Sequence, residues 1–315
     1  MPETLDIAIS QLTTVRWDLE DDLECLREHG FSALAMWRPK LSDGGIRATR
    51  TALARAGVRC SSLQWAGGFT GGDGRTFRES LADAEDAVRE ASLVGAPVLV
   101  LHSGCRGGHT RSHAGRLLGE ALESLAPLAR REGVVLAIKP VHPAAACSWS
   151  FLTDLADTLE LVESFDDSAI RIALDLWHFG SREDIEPLVH RLVPAVAIVE
   201  VADRTGPPTA DVDRLPPGYG ALPLDELVSR LREAGYEGDF ELDPVGEVVE
   251  HLGYAATVAE LGRIRDTWTG RRVIAGAGDK AGAMSGPPSL RQPHHLRGGA
   301  GSRRSQASSQ AVSRG

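Results

Sequence analysis

Eight short apolar runs, separated by longer amphipathic stretches, occupy the first 270 residues of this 315-residue chain. That alternation constrains the fold more than any other feature. The candidate strands are Leu5–Ser10, Ala33–Trp37, Val58–Leu63, Pro97–Ser103, Val134–Lys139, Arg171–Asp175, Ala195–Asp203 and Asp239–Asp243. Several are continuous aliphatic runs, as strands covered on both faces must be. Between them the pattern is helical. Leu224, Leu227, Val228 and Leu231 follow i, i+3, i+4, i+7 spacing before a stop at Gly235, and Ser181 stands as an N-cap ahead of Glu183 and Asp184. Eight βα units in about 270 residues predict an α/β fold, a single (β/α)8 TIM barrel. A doubly wound open sheet is the alternative, but no GxGxxG follows the first strand.

Charge separates the chain into two parts. From Arg271 onward there are eight basic residues and one acidic residue, Asp279, so the tail carries +7 and the remaining 270 residues carry −17 of the formal net −10. A barrel over 1–270 that is this acidic argues against nucleic acid as its partner. Residues 271–315, rich in Gly, Ser, Arg and Gln, are predicted to be a disordered basic tail, because they cannot bury enough apolar surface to offset chain entropy. No apolar stretch is long enough to cross a membrane, and Met1–Leu5 has no signal-peptide character. Cys25, Cys60, Cys105 and Cys147 lie far apart, which fits a reducing cytoplasm.

Barrel enzymes act at the C-terminal ends of their strands. The residues expected there are Trp37 and Arg38, Trp65, His102 and Ser103, Lys139, Asp175 with His178, Glu200 with Asp203, and Asp243. Ionisable groups that end apolar strands must be paired or used. Lysine is rare in this chain: Lys40, Lys139 and Lys280 are the only three among 34 basic side chains.

The runs LAIKPVHP (136–143), IALDLWHFG (172–180), VEVADR (199–204) and GYEGDFELD (235–243) resemble the sugar phosphate isomerase/epimerase family of xylose-isomerase-like barrels. The loop SGCRGGHTRSHAGRLL (103–118) is similar to the segment after the fourth strand in one branch of it. The resemblance covers roughly 5–268. It implies one divalent ion (Mn, Mg, Co or Zn) on four strand-end side chains, and chemistry by proton abstraction beside a carbonyl. Those four positions correspond to Lys139, Asp175, Glu200 and Asp243, and only Asp175 keeps the family residue. His178 corresponds to a His that contacts substrate, and His109 is a substrate contact by the same resemblance.

An ammonium has no lone pair for a metal, and three nearby carboxylates would hold it protonated. Two outcomes compete. Asp175, Glu200 and Asp243 still ligate an ion with Lys139 displaced, or Lys139 fills the ion's place; repulsion between an ion and an ammonium favours the second. Asp243 is then the candidate base, with Lys139 as oxyanion stabiliser and acid. Further candidates for substrate contact are Arg204, His142, Trp37 and Trp65. Gly104, Gly107 and Gly108 with Arg106 and Arg111 form a candidate anion nest. The expected activity is an isomerase or epimerase enolising a polyhydroxylated or keto substrate. A lyase using Lys139 as a Schiff base, and a catalytically silent binding barrel, are the alternatives. The expected partner is a small molecule, with a homodimer as the one assembly considered.

Overall fold

The computed structural model describes residues 5–146, 149–209 and 211–270. The predicted tail, 271–315, lies outside the described residues, as does Cys147. The eight expected strands form a closed parallel barrel in sequence order: β1 (Ile7–Ser10), β2 (Ala33–Trp37), β3 (Arg59–Gly67), β4 (Val98–His102), β5 (Val135–Ile138), β6 (Ile170–Asp175), β7 (Val196–Val201) and β8 (Phe240–Leu242). Among the described residues no helix is long and apolar enough to cross a membrane.

The amphipathic segments become helices whose apolar faces cover the barrel. In the helix Leu224–Glu233, the four residues picked out by their spacing are all buried. The helix Phe77–Val94 opens with a reciprocal capping box between Thr76 and Glu79, satisfying amides that would otherwise lack partners. Ser181 accepts the Asp184 amide, as its position predicts. The main core lies between strands and helices.

A second, smaller apolar cluster fills the barrel interior: Val98, Val100, Ala137, Ala173 and Ile198. Side chains two residues apart share a strand face. Lys139, Asp175 and Glu200 each lie two residues beyond Ala137, Ala173 and Ile198, so they point inward one layer higher. The register sets Asp175 beside Glu200 and Glu200 beside Glu241. Alternation therefore places a polar layer directly on top of an apolar plug.

β3 runs four residues beyond the expected end at Leu63. Polar Ser61, Ser62 and Gln64 interrupt its apolar pattern, yet all are buried. After β7 the long connection folds back over the mouth. Its anchor is Asp203, whose carboxylate accepts the amides of Arg204 (2.8 Å), Gly218, Gly220 and Leu222 (3.0 Å each). Isolated antiparallel bridges join Asp203 to Leu215 and Arg214 to Val245, strapping this connection across the end of β8.

Candidate active site

At the C-terminal end of the barrel, the last residues of β6 and β7 and those just beyond β5 and β8 converge. The Lys139 ammonium lies 2.8 Å from Asp175 Oδ2 and donates to Glu200 Oε2. Asp175, Glu200 and Asp243 are all buried, and one oxygen from each lies within 4.8 Å of the others. A second cation, Arg214, comes from the connection after β7. Its guanidinium grips both oxygens of Asp175 at 3.0 and 3.1 Å and both oxygens of Asp243 at 2.8 and 2.6 Å. It also lies 5.2 Å from the centre of the Trp177 ring.

The remaining acceptors are taken as well. The Trp177 amide donates to Asp175 Oδ1 (2.9 Å), and Gln64 Nε2 donates to Glu200 Oε1 (3.0 Å). All six carboxylate oxygens of the triad thus accept a hydrogen bond. Gln64 Nε2 also donates to Glu241 Oε2 at 3.0 Å, and Ser61 donates to Glu241 Oε1 at 2.6 Å. A buried chain of contacts runs from Lys139 through Glu200 and Gln64 to Glu241.

Burial alone would lower the Lys139 pKa. Asp175 and Glu200 outweigh it and push the amine above its ordinary value. Asp175 is raised by burial, but Arg214 and Lys139 hold it well below the usual carboxylate range. Asp243 goes the other way: burial, only partly offset by Arg214, raises it to about 7. Burial, with Glu200 adding repulsion, raises Glu241 to about 8. Burial lowers His178 to about 3 despite Asp175, and lowers His102 to about 3, so both imidazoles are neutral at physiological pH. Their Nδ1 atoms are buried without a hydrogen-bond partner.

Above this floor opens a cavity of about 460 Å³. Lys139, Asp243, Arg214, Gln64, His102 and His178 face it, with indole walls from Trp65, Trp149 and Trp177. Of the residues singled out in the sequence, Lys139, Asp243, His178 and Trp65 line it, while Asp175 and Glu200 sit behind Lys139. Trp37, His109, His142 and Arg204 are not among the lining residues described. The Trp37 amide is held by Gln11, and His109 bonds the Thr70 carbonyl at 3.1 Å while packing on His113. His142 Nδ1 accepts the Ala144 amide. The Arg204 guanidinium donates to the carbonyl oxygens of Trp177 and Gly206 instead of pairing with Asp203 or Asp211. Around the glycine-rich loop, Gly104 N–H is spent on Trp149 O and Arg111 on Asp157, so two parts of the anion nest are already engaged.

A family match covers most of the chain. Residues 23–259 match the family described as xylose isomerase-like TIM barrel. The chain belongs to that family. Among curated relatives, a putative hydroxypyruvate isomerase of Streptomyces coelicolor is 25% identical over 230 residues, 66% of this chain and 79% of the relative. Among solved structures, the IolI protein crystallised with a bound zinc atom superposes with a TM-score of 0.71 at 17% identity, over 84% of this chain and 99% of the other. D-Psicose 3-epimerase from Clostridium cellulolyticum H10 superposes with a TM-score of 0.66 at 13% identity, over 84% and 99%. This xylose isomerase-like barrel thus stands among isomerase- and epimerase-like enzymes, the class that the family resemblance implied.

Sequence reasoning missed Arg214, Gln64 and Glu241. Glu241 had a usable signal: it stands two residues before Asp243, on the same strand face. Gln64 was hidden by the early end assigned to β3. Arg214 lies in an irregular connection with no periodicity, and no local pattern marks it.

Proposed function

We propose that this chain is an enolising isomerase or epimerase of polyhydroxylated or keto substrates, and that Lys139 with Arg214 supplies the positive charge that the family resemblance assigns to a divalent ion. The observation that carries the reading is that two cations are already bonded to the three carboxylates, with no carboxylate oxygen left over. The triad alone has the spacing of a metal site. With an ammonium and a guanidinium inside it, however, the donor set does not fit an ion: a divalent cation would have to displace both or endure their repulsion in a buried place.

The chemistry follows from which groups border the cavity. Asp243, ionised in part near neutral pH, removes the proton from the carbon beside the substrate carbonyl. The electron pair moves to the carbonyl oxygen, giving an enediolate. Lys139 stabilises that oxyanion and lends a proton to it, and Asp175 and Glu200 keep the amine charged and aimed. If Asp243 returns the proton to the former carbonyl carbon while the neighbouring hydroxyl gives its proton back to Lys139, the product is an isomer; if Lys139 instead delivers a proton to the opposite face of the original carbon and Asp243 keeps the one it took, the product is an epimer. His178, neutral and on the cavity wall, orients a hydroxyl. A Schiff base at Lys139 needs a free amine, which two bonded carboxylates oppose.

The test is deuterium uptake from D2O, with chelator present, into the carbon beside the carbonyl of hydroxypyruvate and a panel of ketohexoses. Uptake in the wild type, reduced at least about 100-fold in Lys139→Met, is expected. Lys139→Arg, which keeps the charge, should also lose uptake, with thermal melts checking that the variant is folded. Uptake in none of the substrates, or uptake abolished by chelator and restored by Mn or Zn, overturns the reading.

A further inference from the structure

A second cavity of about 400 Å³ lies beside the first. The two share a wall of three aromatic rings, Trp65, His102 and Trp149, so they are adjoining lobes of one cleft. The rings meet edge to face or tilted, with centroids 5.3–5.6 Å apart. Trp149 stands at the junction, packed on Trp65 and His102, with 47% of its surface exposed, an unusual position for an indole.

The outer lobe is built by the loops after β3 and β4. Gly67 ends β3 at a φ of +128°, and a Cβ there would strike the His102 carbonyl oxygen, so only glycine lets the two strand ends close up. Arg75, the basic group of this lobe, is fully engaged: it bonds Asp73, Asp83 (3.0 Å) and the Gly67 carbonyl oxygen (2.8 Å).

Charge decides what the cleft can take. Its basic lining groups are Lys139, Arg214 and Arg75, each already paired with acids. Against them stand five acids: Asp243, Asp211 and Asp213 around the inner lobe, and Asp73 and Asp83 in the outer. A phosphate would enter a region of acidic excess without a free cation among the described residues to receive it. The inner cavity alone lies within the roughly 300–1,000 Å³ that holds a small ligand, and the outer lobe adds nearly as much room.

We infer that the substrate is an uncharged, two-part molecule: a hydroxylated keto part over Lys139, joined to a planar apolar ring that stacks on Trp149 and extends into the outer lobe. This deepens the proposed function, on which it rests only for the orientation of the reacting end. Sugar phosphates are excluded as the preferred substrates by the same charge balance.

Calorimetric binding tests it without requiring turnover, so its outcome is independent of deuterium uptake. The panel is dihydroxyacetone, erythrulose, xylulose and fructose, each as the free ketose, its terminal phosphate and its terminal O-phenyl ether, all of which keep the keto group. In at least one ketose the phenyl ether should bind tenfold or more tightly than the free ketose, and the phosphate no better than the free ketose. Trp149→Ala should shrink the phenyl advantage to under threefold, and Trp149→Phe should restore most of it. The exposure of Trp149 makes misfolding of these variants a minor concern, and thermal melts check it. No phenyl advantage in any sugar, including no binding at all, overturns the inference. So does tightest binding of a phosphate, or a phenyl advantage that survives Trp149→Ala.

Discussion

Two of the three lysines in this chain pair with buried carboxylates, and their surroundings differ in an instructive way. Lys40 packs on Asp22 at 3.2 Å and donates to the Thr14 carbonyl oxygen at 2.9 Å. Gln11 and Thr14 complete the shell of Asp22, and Gln11 in turn holds the Trp37 amide. One amine meets one acid, none of these groups lines either lobe of the cleft, and the cluster ties the β1 and β2 loops together. The Lys139 side chain is about as little exposed as that of Lys40, 10% against 11%. Yet it belongs to a group with three acids, a second cation and neutral histidines, and it borders a cavity. Burial of a charge therefore does not mark a site by itself. The mark is a surplus of ionisable groups beyond what pairing requires, placed where a ligand can reach them.

The sharpest way to break that contrast is to remove the proposed base. Asp243→Asn keeps the shape and one acceptor for Arg214, and it removes the raised carboxyl. Turnover should fall about 10³-fold, within the range that general bases contribute, with KM changing little. A drop of less than tenfold would make Asp243 a structural acid like Asp22 and erase the distinction between the two clusters. The reciprocal substitution is Lys40→Met, which leaves Asp22 buried without its partner. Stability should fall by about 3 kcal/mol, as when one member of a buried pair is deleted, while kcat of the folded fraction stays within twofold. Loss of kcat without loss of stability would place Lys40 in the catalytic machinery.

How far the sequence carries this contrast depends on periodicity. The barrel was legible because eight apolar runs and their amphipathic partners each signal an element within a few residues, and closure follows from their number. The candidates Lys139, Asp175, Glu200 and Asp243 were legible because each ends an apolar run, where the fold converges, and because the family resemblance singled out those four among the strand-end residues. Trp37, His109, His142 and Arg204 also stand near strand ends or on the same rim, yet the structure spends their polar groups or backbone locally. Strand-end position gives convergence at the level of the barrel mouth; the direction of a loop side chain depends on hydrogen bonds such as Arg204 to the Trp177 carbonyl. Arg214 is the opposite case. It reaches the centre only because Asp203 gathers four amides and bends the connection back, a relation among distant residues that no local pattern encodes.

The smallest expected effect concerns Glu241, which lies beneath the site and lines neither lobe. Its folded-state pKa of about 8 and that of Asp243, about 7, both exceed the ordinary carboxylate values of about 4. Between those limits the folded protein holds protons that the unfolded chain has released, so the stability these groups allow is present at low pH and declines as pH rises toward 8. Each group contributes a slope of at most about 1.4 kcal/mol per pH unit. Asp175, held well below its ordinary value, acts in the opposite sense, but its contribution is lost only under more acidic conditions. Glu241→Gln keeps a carbonyl for Gln64 and cannot ionise. Denaturant melts across pH 5 to 9 should therefore show a flatter decline than in the wild type, with the variant the more stable at pH 9. The acid limb of kcat/KM, set by Asp243, should remain near pH 7 in both proteins. A limb that moves by a full unit in Glu241→Gln would mean that the buried chain through Gln64 and Glu200 tunes the base, joining a residue below the site to the chemistry above it.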